Sequence, residues 1–367
     1  MTNPLVRLGA LGQSPWYDFI TRDLIASGTL GKLIADDGLL GMTSNPTIFE
    51  KAIASSADYD ADIRRYTTAG LTPAGIFERL AVADVRAACE AFLPVFRATG
   101  GRDGLVSLEV SPTLAHDTAG TVAEAKRLWT AVDRPNAMIK IPGTVAGLPA
   151  ITESIAAGLN VNITLLFAVD RYQGVIDAYL TGLEQRVAAG LPITGISSVA
   201  SFFVSRVDGR IDGLLDTMGN SKGIRGTIAI ANAGAAYAAF ERSIESPRWQ
   251  ALAPKGATRQ RPLWASTSTK DPKYPDTYYV EALVAKDTVN TLPPDTFRAY
   301  RDHGNPVIRI GAAIESAPDR LAALTAAGIS LRDVTDFLEA DGVTKFAASY
   351  QSLLNGIESK MGALAGR

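Results

Sequence analysis

The segment NAMIKIPGTVAGLPAITESIAAGLNVNITLLF, residues 136–167, decides the fold of this chain. Two short apolar runs, Ala137–Ile141 and Asn160–Thr164, are separated by a turn at Pro142-Gly143 and a longer amphipathic stretch. Short apolar runs bounded by turn residues predict buried strands, and a helix between two such strands predicts that they lie parallel in one sheet. The segment therefore predicts one β–α–β unit.

The same alternation recurs along the rest of the chain and gives eight candidate strands. They lie near Pro15–Asp18, Leu39–Thr43, Leu105–Val110, Ala137–Ile141, Asn160–Thr164, Gly195–Ala200, Pro262–Ala265 and Tyr279–Val284. Eight strands with helices between them predict an α/β fold of the (β/α)₈ barrel type. The alternative is an open doubly wound sheet, but no G-x-G-x-x-G turn follows the first strand.

Two stretches exceed what a minimal barrel needs. A helical insertion is predicted at about residues 50–101, with an apolar face that includes Cys89. A C-terminal helix is predicted at about 343–361, after a turn at Asp341-Gly342. No linker rich in Pro, Gly and Ser separates these parts, so we expect one barrel domain over residues 1–367.

Composition narrows the classes of function. The chain has 367 residues, 47% of them apolar, and 36 basic against 38 acidic side chains give a net charge of −2. A net charge this close to zero gives no overall electrostatic attraction to nucleic acid or to an anionic membrane, and we expect neither as a partner. The single cysteine excludes a Cys₂ zinc site, and we expect no metal. Two histidines far apart in the sequence, His116 and His303, leave few candidates for a Ser-His-Asp hydrolase. The first residues lack the apolar core of a signal peptide, which predicts a cytoplasmic protein.

Polar side chains stand at or just after the ends of the predicted strands, where barrel enzymes carry their active sites. The set comprises Asp18, Thr43-Ser44-Asn45-Pro46, Glu109, Lys140, Asn162, Thr164, Ser201 and the segment Ser266–Lys270.

Lys140 is the most informative member of this set. It stands within the apolar run Met138–Pro142, where burial would lower the pKa of its ammonium group. A free amine can attack a ketone or aldehyde to form a Schiff base. Asp18 and Glu109, also at strand ends, would supply the proton transfers that imine formation and carbon–carbon cleavage require. The alternatives are a lysine paired with a carboxylate and a lysine that binds phosphate as a point charge.

Six segments together resemble the signature segments of the transaldolase family, in that family's order. They are GMTSNPTIFEKAI (41–53), VSLEV (106–110), MIKIPGT (138–144), NVNITLLF (160–167), SSVASFFVSRVD (197–208) and LWASTSTK (263–270). The segment VNTLPPDT (289–296), which follows the eighth predicted strand, and the chain length resemble the longer bacterial members.

The resemblance implies specific catalytic roles. Lys140 matches the Schiff-base lysine, and Asp18, in WYDFITRD, matches the acid/base aspartate that acts on the C4 hydroxyl of the sugar. Glu109 matches the glutamate that works with Thr164 and a bound water in forming and hydrolysing the imine. No cofactor is implied.

The resemblance also implies a binding site for sugar phosphates. Asn45 and Asn162 match asparagines that bind the hydroxyl groups of the dihydroxyacetone unit. Ser201 matches a substrate-binding serine, and Phe203, rather than Phe202, matches the residue beside the imine. Arg206 matches a phosphate-binding arginine. Many short transaldolases carry a second arginine after the seventh strand; here we expect Ser266, Ser268 and Lys270 to take its place.

The implied reaction is transfer of dihydroxyacetone from sedoheptulose 7-phosphate to glyceraldehyde 3-phosphate, in the non-oxidative pentose phosphate pathway. The alternatives are a fructose-6-phosphate aldolase, a glycosidase that uses Asp18 and Glu109, and a non-catalytic binder of sugar phosphates. Single residues also have structural alternatives: Asp18 as a cap of a helix near Thr21, Asn45 as a turn residue, and Arg206 as a surface arginine. Glu109 paired with an arginine and Thr164 as an ordinary strand threonine are further alternatives. The sequence leaves the oligomeric state open.

Overall fold

The centre of the molecule is a closed barrel of eight parallel strands that follow one another in chain order. The computed structural model describes residues 3–219 and 223–365. The strands are β1 (Gln13–Asp18), β2 (Gly41–Thr43), β3 (Leu105–Glu109), β4 (Ala137–Pro142), β5 (Val161–Leu166), β6 (Ser198–Phe203), β7 (Arg261–Ala265) and β8 (Thr288–Leu292). The predicted (β/α)₈ barrel is confirmed.

Helices surround the barrel on its outer side. They are α1 (Pro4–Ala10), α2 (Arg22–Ala26), α3 (Thr29–Asp37), α4 (Pro46–Ser55), α5 (Asp60–Thr68), α6 (Pro73–Ala98), α7 (Thr118–Val132), α8 (Gly147–Ala156), α9 (Val169–Ala188), α10 (Ser205–Thr217), α11 (Ile228–Glu245), α12 (Pro247–Leu252), α13 (Tyr278–Ala282), α14 (Pro294–His303), α15 (Ile310–Ala326) and α16 (Leu331–Ala365). Two short 3₁₀ turns lie at Pro112–Leu114 and Ala253–Lys255. In the described ranges, none of these helices combines the length and apolarity that crossing a membrane requires.

The eighth strand is not where the sequence predicted it. The apolar run Tyr279–Val284 forms α13 and the turn after it, and the strand is the next segment, β8. The Tyr279 hydroxyl donates a hydrogen bond to Asp208, which holds α13 against α10. In β8, Asn290 is fully buried because it accepts a hydrogen bond from Thr267. A strand whose buried side chains are polar but hydrogen-bonded escapes a search for apolar runs. The segment VNTLPPDT therefore begins inside β8 and does not follow the eighth strand.

The insertion before β3 consists of α4, α5 and α6. Helix α6 is the longest of the three, and it buries the apolar face predicted for this part of the chain. Cys89 lies on that face as a free and fully buried thiol, as expected for a core residue. Helix α4 begins at Pro46, directly after Asn45, and α6 begins directly after Thr72. The side chains of Asn45 and Thr72 each accept a hydrogen bond from the backbone of the first turn, which fixes these helix starts.

The C-terminal helix is longer than predicted, and the expected turn at Asp341-Gly342 lies inside it. Gly342 allows α16 to lie close to the barrel, and it does not form a turn. A Cβ atom at this position would lie 2.9 Å from Cδ2 of Leu165 and 3.9 Å from Nη1 of Arg206. The glycine thus lets α16 pass directly over the carboxyl end of β5. Further along, Thr47 donates a hydrogen bond to Ser349, at 2.8 Å, which ties the helix to α4.

We predict that Gly342→Leu destabilises the protein by about 1–3 kcal/mol, because the new side chain overpacks against Leu165. The matched control is Gly356→Leu on the same helix, where an added Cβ would meet no atom within 4 Å. That control should keep or gain stability, since glycine is a poor helix former. Chemical denaturation of both variants measures the difference, and equal stabilities would contradict the close approach.

Candidate active site

A cavity of about 410 Å³, called here the barrel cavity, opens at the carboxyl ends of the strands. Its wall brings together side chains that are far apart in the sequence. Among them are Asp18, Thr43, Asn45, Lys51, Lys140, Ser201, Phe203, Arg206, Ser266, Ser268, Lys270, Thr291 and Phe346. The cavity therefore contains nine of the twelve predicted site residues.

The parallel register sets three predicted residues side by side. Glu109 on β3 is the register partner of Lys140 on β4, and Lys140 is the partner of Asn162 on β5. Register partners on neighbouring strands point to the same face of a sheet. In the same way Asp18 on β1 pairs with Thr43 on β2. Both acids and the lysine thus reach the interior of the barrel.

Lys140 lies at the floor of the barrel cavity with its side chain 6% exposed. Its Nζ donates a hydrogen bond to the backbone oxygen of Ser44, at 3.3 Å. The same nitrogen lies 3.5 Å from Oε2 of Glu109, whose side chain is 3% exposed. Glu109 therefore pairs with this lysine and not with an arginine.

Burial dominates the electrostatics of Glu109. It raises the pKa of the carboxyl from 4.5 to about 7, although the cationic Lys140 lowers it and Asp18 adds to the rise. Neither Glu109 oxygen has a hydrogen-bond partner in residues 3–219 and 223–365, and neither does the buried hydroxyl of Thr164. Buried polar atoms of this kind are available to a bound molecule.

Asp18 faces the barrel cavity from the end of β1. Its Oδ1 accepts a hydrogen bond from the Thr43 hydroxyl, at 2.7 Å, and Thr43 in turn contacts the Thr291 hydroxyl. Burial raises the pKa of Asp18, while Lys140 and the Thr43 hydrogen bond lower it. Helix α2 is capped by Thr21 itself, so the capping role considered for Asp18 does not apply.

Three predicted hydroxyl-binding residues have different surroundings. Asn45 caps α4 through its Oδ1, which accepts from the Ile48 backbone, and it also lines the barrel cavity. Ser201 donates to Oδ1 of Asn162, at 2.7 Å, and the Asn162 amide donates to Ser107. Ser201 lies within β6 and not after it. Asn162 is fully buried beside Lys140 and supports the wall from behind Ser201.

The alternation of β6 separates its two phenylalanines. Phe203 lines the barrel cavity and packs against Phe167, with ring centroids 5.2 Å apart. Phe202 points to the outside of the barrel, where it contacts Tyr172 and Trp264. The guanidinium of Arg206 lies 5.2 Å from the centroid of the Phe203 ring.

Cations gather at the mouth of the barrel cavity. Arg206 is partly buried, and this burial lowers its pKa. Lys270 donates to the Ser268 hydroxyl, at 2.7 Å, and its pKa is lowered by burial and by the nearby charges of Arg206 and Lys51. Like charges held together in one wall favour an anionic ligand, because a phosphate relieves their repulsion.

Strained backbone marks two strand ends in the site. Leu165 and Ser266 have positive φ values of 60° and 55°, a region that costs non-glycine residues about 1–3 kcal/mol. At Leu165 the register between β5 and β6 shifts, directly after Thr164. The Ser266 hydroxyl contacts that of Ser205, at 3.0 Å, at the start of α10.

Sequence reasoning missed four residues of this wall: Thr43 as a partner of Asp18, and Lys51, Thr291 and Phe346. Lys51 had a usable signal, since it stands on α4 six residues after Asn45 in the same signature segment, residues 41–53. Phe346 had been placed only on an apolar helix face. His116 is exposed, and His303 pairs with Asp276 and Asp302 at the surface. Across the described ranges, no cluster of three or more His, Cys, Asp or Glu side chains is arranged to hold a metal ion.

Comparison with known proteins gives the family. A family model described as transaldolase/fructose-6-phosphate aldolase matches residues 15–357. A protein of Frankia alni named transaldolase is 49% identical over 365 residues, which cover 99% of this chain and 98% of the relative. The chain belongs to the transaldolase family.

Further relatives agree with this assignment. A transaldolase of Acidothermus cellulolyticus is 51% identical, with 96% of this chain and 95% of the relative covered. A protein named transaldolase 2, from a Nostoc species, is 47% identical with 99% of both chains covered. The chain is an enzyme, a transaldolase, and the resemblance drawn from the six signature segments is confirmed.

Proposed function

We propose that this transaldolase moves a dihydroxyacetone unit from sedoheptulose 7-phosphate to glyceraldehyde 3-phosphate through a Schiff base on Lys140. One observation carries the proposal above the others: the Lys140 nitrogen lies on the floor of a cavity with cations at its mouth. Two carboxyl groups accompany that nitrogen: Asp18 lines the same cavity, and Oε2 of Glu109 lies 3.5 Å away.

Imine formation is the first step. The Lys140 nitrogen attacks the C2 carbonyl of the ketose, and a proton moves to the oxygen to give a carbinolamine. The C2–oxygen bond then breaks, and the hydroxyl leaves as water with a proton from Glu109. A carboxyl with a pKa of about 7 can give this proton and take one back near neutrality. The hydroxyl of Thr164, which has no hydrogen-bond partner among the described residues, is available to bind the water that takes part.

Carbon–carbon cleavage is the second step. Asp18 takes the proton of the C4 hydroxyl, the C3–C4 bond breaks and the aldose leaves. The electron pair of the broken bond is accepted by the iminium on Lys140. Burial makes Asp18 a stronger base than an exposed aspartate, while the hydrogen bond from Thr43 keeps its carboxylate oriented. Addition to the acceptor aldose reverses these steps.

Substrate recognition uses the remaining residues of the wall. Asn45, Asn162 and Ser201 hold the hydroxyl groups of the three-carbon unit, and Phe203 packs beside the imine. Arg206 binds the phosphate with Ser266, Ser268 and Lys270. Doubly charged phosphate esters do not cross membranes unaided, because moving a charge into an apolar medium is costly. On this basis we propose a cytoplasmic location for the enzyme.

The rival functions fit these observations less well. A glycosidase would need Asp18 and Glu109 in one cavity, and it would leave Lys140 without a role. A non-catalytic binder would not account for relatives named transaldolase over nearly the whole chain. The resemblance places position 203 beside the imine, and it implies that a tyrosine there would favour an aldolase. The phenylalanine at this position therefore supports transfer.

Reductive trapping tests the proposal. Borohydride added together with fructose 6-phosphate should leave one covalent adduct per chain, located on Lys140 by peptide mass spectrometry. The control is borohydride without sugar, which should leave every lysine unmodified. A wild-type enzyme that gives no adduct, or an adduct confined to Lys270 or Lys51, would overturn the assignment.

Lys51 offers a further prediction, because it joins Arg206 and Lys270 at the mouth of the barrel cavity. Lys51→Ala should raise the KM for fructose 6-phosphate about three- to tenfold, a range that allows for the solvent exposure of this lysine. The KM for unphosphorylated fructose should change little. The control is Lys32→Ala on α3, an exposed lysine outside the cavity. Equal effects on both sugars would exclude Lys51 from phosphate binding.

A further inference from the structure

A second cavity of about 460 Å³ reaches the active site from another side. This side cavity lies between α4, α6, α7 and α16, and its inner end is formed by Ser44, Asn45 and Glu109. Asn45 lines both cavities, so the turn between β2 and α4 separates them. The side cavity belongs to no step of the mechanism given above.

The two catalytic acids face different cavities. Asp18 lines the barrel cavity, and Glu109 lines the side cavity. Lys140 lines the barrel cavity with Asp18, and its nitrogen lies 3.5 Å from Oε2 of Glu109. Both oxygens of Glu109 are buried and without a hydrogen-bond partner among the described residues, so the group at the inner end is free to bind a small polar molecule.

Charged side chains of increasing exposure line the side cavity. The exposed fraction of the charged side chains along the wall rises from 3% at Glu109 to 20% at Glu124, 31% at Glu78 and 51% at Arg127. Glu124 also accepts a hydrogen bond from the Ser111 backbone. Water enters cavities that offer it several polar partners and avoids cavities that are wholly apolar.

The chemistry of the imine requires that water move into and out of the site. One water leaves when the imine forms, and one enters when it is hydrolysed. While a ketose phosphate fills the barrel cavity, its carbon chain and its phosphate occupy the path to the mouth at Arg206 and Lys270. Water produced at C2 then has Glu109 and the side cavity on its other side.

We propose that the side cavity is the route by which water and protons travel between solvent and the imine on Lys140. In this step the C2–oxygen bond breaks, Glu109 gives its proton to the departing hydroxyl, and the water leaves past Glu124. In the reverse step water adds to C2 and Glu109 takes its proton. The inference rests on the proposed role of Lys140, and the route serves imine formation and hydrolysis but not carbon–carbon cleavage.

Oxygen exchange at C2 directly measures this loss and gain of water. The rate at which ¹⁸O from labelled water enters fructose 6-phosphate, above the uncatalysed rate, reports imine formation and hydrolysis without any carbon–carbon step. Ala347→Phe on α16 should block the side cavity and slow this exchange about tenfold or more. The matched control is Ala348→Phe, the next residue, which is exposed and outside the cavity; its exchange should match the wild type.

Two further measurements keep the outcomes distinct. In Ala347→Phe the final yield of borohydride adduct should equal that of the wild type, because Lys140 is intact. The adduct should form more slowly, because the block lowers the rate of imine formation. Ala74→Phe, on the opposite wall, repeats the block and replaces the first variant if that one does not fold. Exchange at the wild-type rate in a folded, blocked variant that still traps the sugar would overturn the route alone. Failure of the wild type to trap the sugar would overturn the proposed function.

Discussion

Lys140→Met is expected to lower dihydroxyacetone transfer by at least about 10⁴-fold, because the variant lacks the proposed nucleophile, on which both half-reactions would depend. Methionine fills a similar volume among the buried neighbours of Lys140, so the fold should persist. Coupled assay of erythrose 4-phosphate release gives the rate. The variant should also yield no borohydride adduct.

Lys140→Arg is the informative companion to this variant. An arginine keeps the positive charge beside Glu109 but stays protonated, so it cannot attack a carbonyl. We expect it to be as inactive as the methionine variant. Substantial activity in Lys140→Arg would mean that the residue acts as a point charge for the substrate, which is the alternative left open by the sequence.

Asp18→Asn is expected to lower transfer about 10²- to 10⁴-fold, the usual contribution of a general acid or base. The substituted amide still fits the hydrogen bond of Thr43, but it cannot accept the proton of the C4 hydroxyl. Imine formation should continue, since the proposed mechanism assigns that step to Glu109 and not to Asp18. Borohydride trapping with fructose 6-phosphate should therefore remain near the wild-type yield while aldose release nearly stops.

Asp23→Asn provides the control for this prediction. Asp23 lies on α2 a few residues after Asp18 but is exposed, and it does not line the barrel cavity. Its replacement should leave both trapping and transfer unchanged. Loss of trapping in Asp18→Asn would instead assign Asp18 to imine chemistry and would require different roles for the two acids.

Most of the fold could be predicted from the sequence because seven of the strands are apolar runs followed by a turn. The exception is instructive. In β8 the residues Thr288 and Asn290 are buried through hydrogen bonds to Gln13 and Thr267. Apolar periodicity cannot detect a strand of this kind, because its burial depends on partners that are brought close only by the closed barrel.

In the candidate site, too, some residues could be predicted from the sequence and others could not. Lys140, Asp18 and Glu109 could be predicted because each stands at or near a strand end, where the barrel fold gathers reactive groups. Lys51 and Phe346 come from helices that fold over the mouth, and no rule of strand position points to them. The partition of the two acids between two cavities is also invisible in the sequence, because it depends on how α6, α7 and α16 pack.

The position of α16 has a consequence for biosynthesis. Phe346 completes the wall of the barrel cavity, and Gly342 brings this helix against the end of β5, yet α16 is translated only after all eight strands. A nascent chain can close its barrel while α16 is still inside the ribosome. Such a chain would hold its lysine and both acids but lack a finished pocket, so sugar turnover must await the emergence of α16.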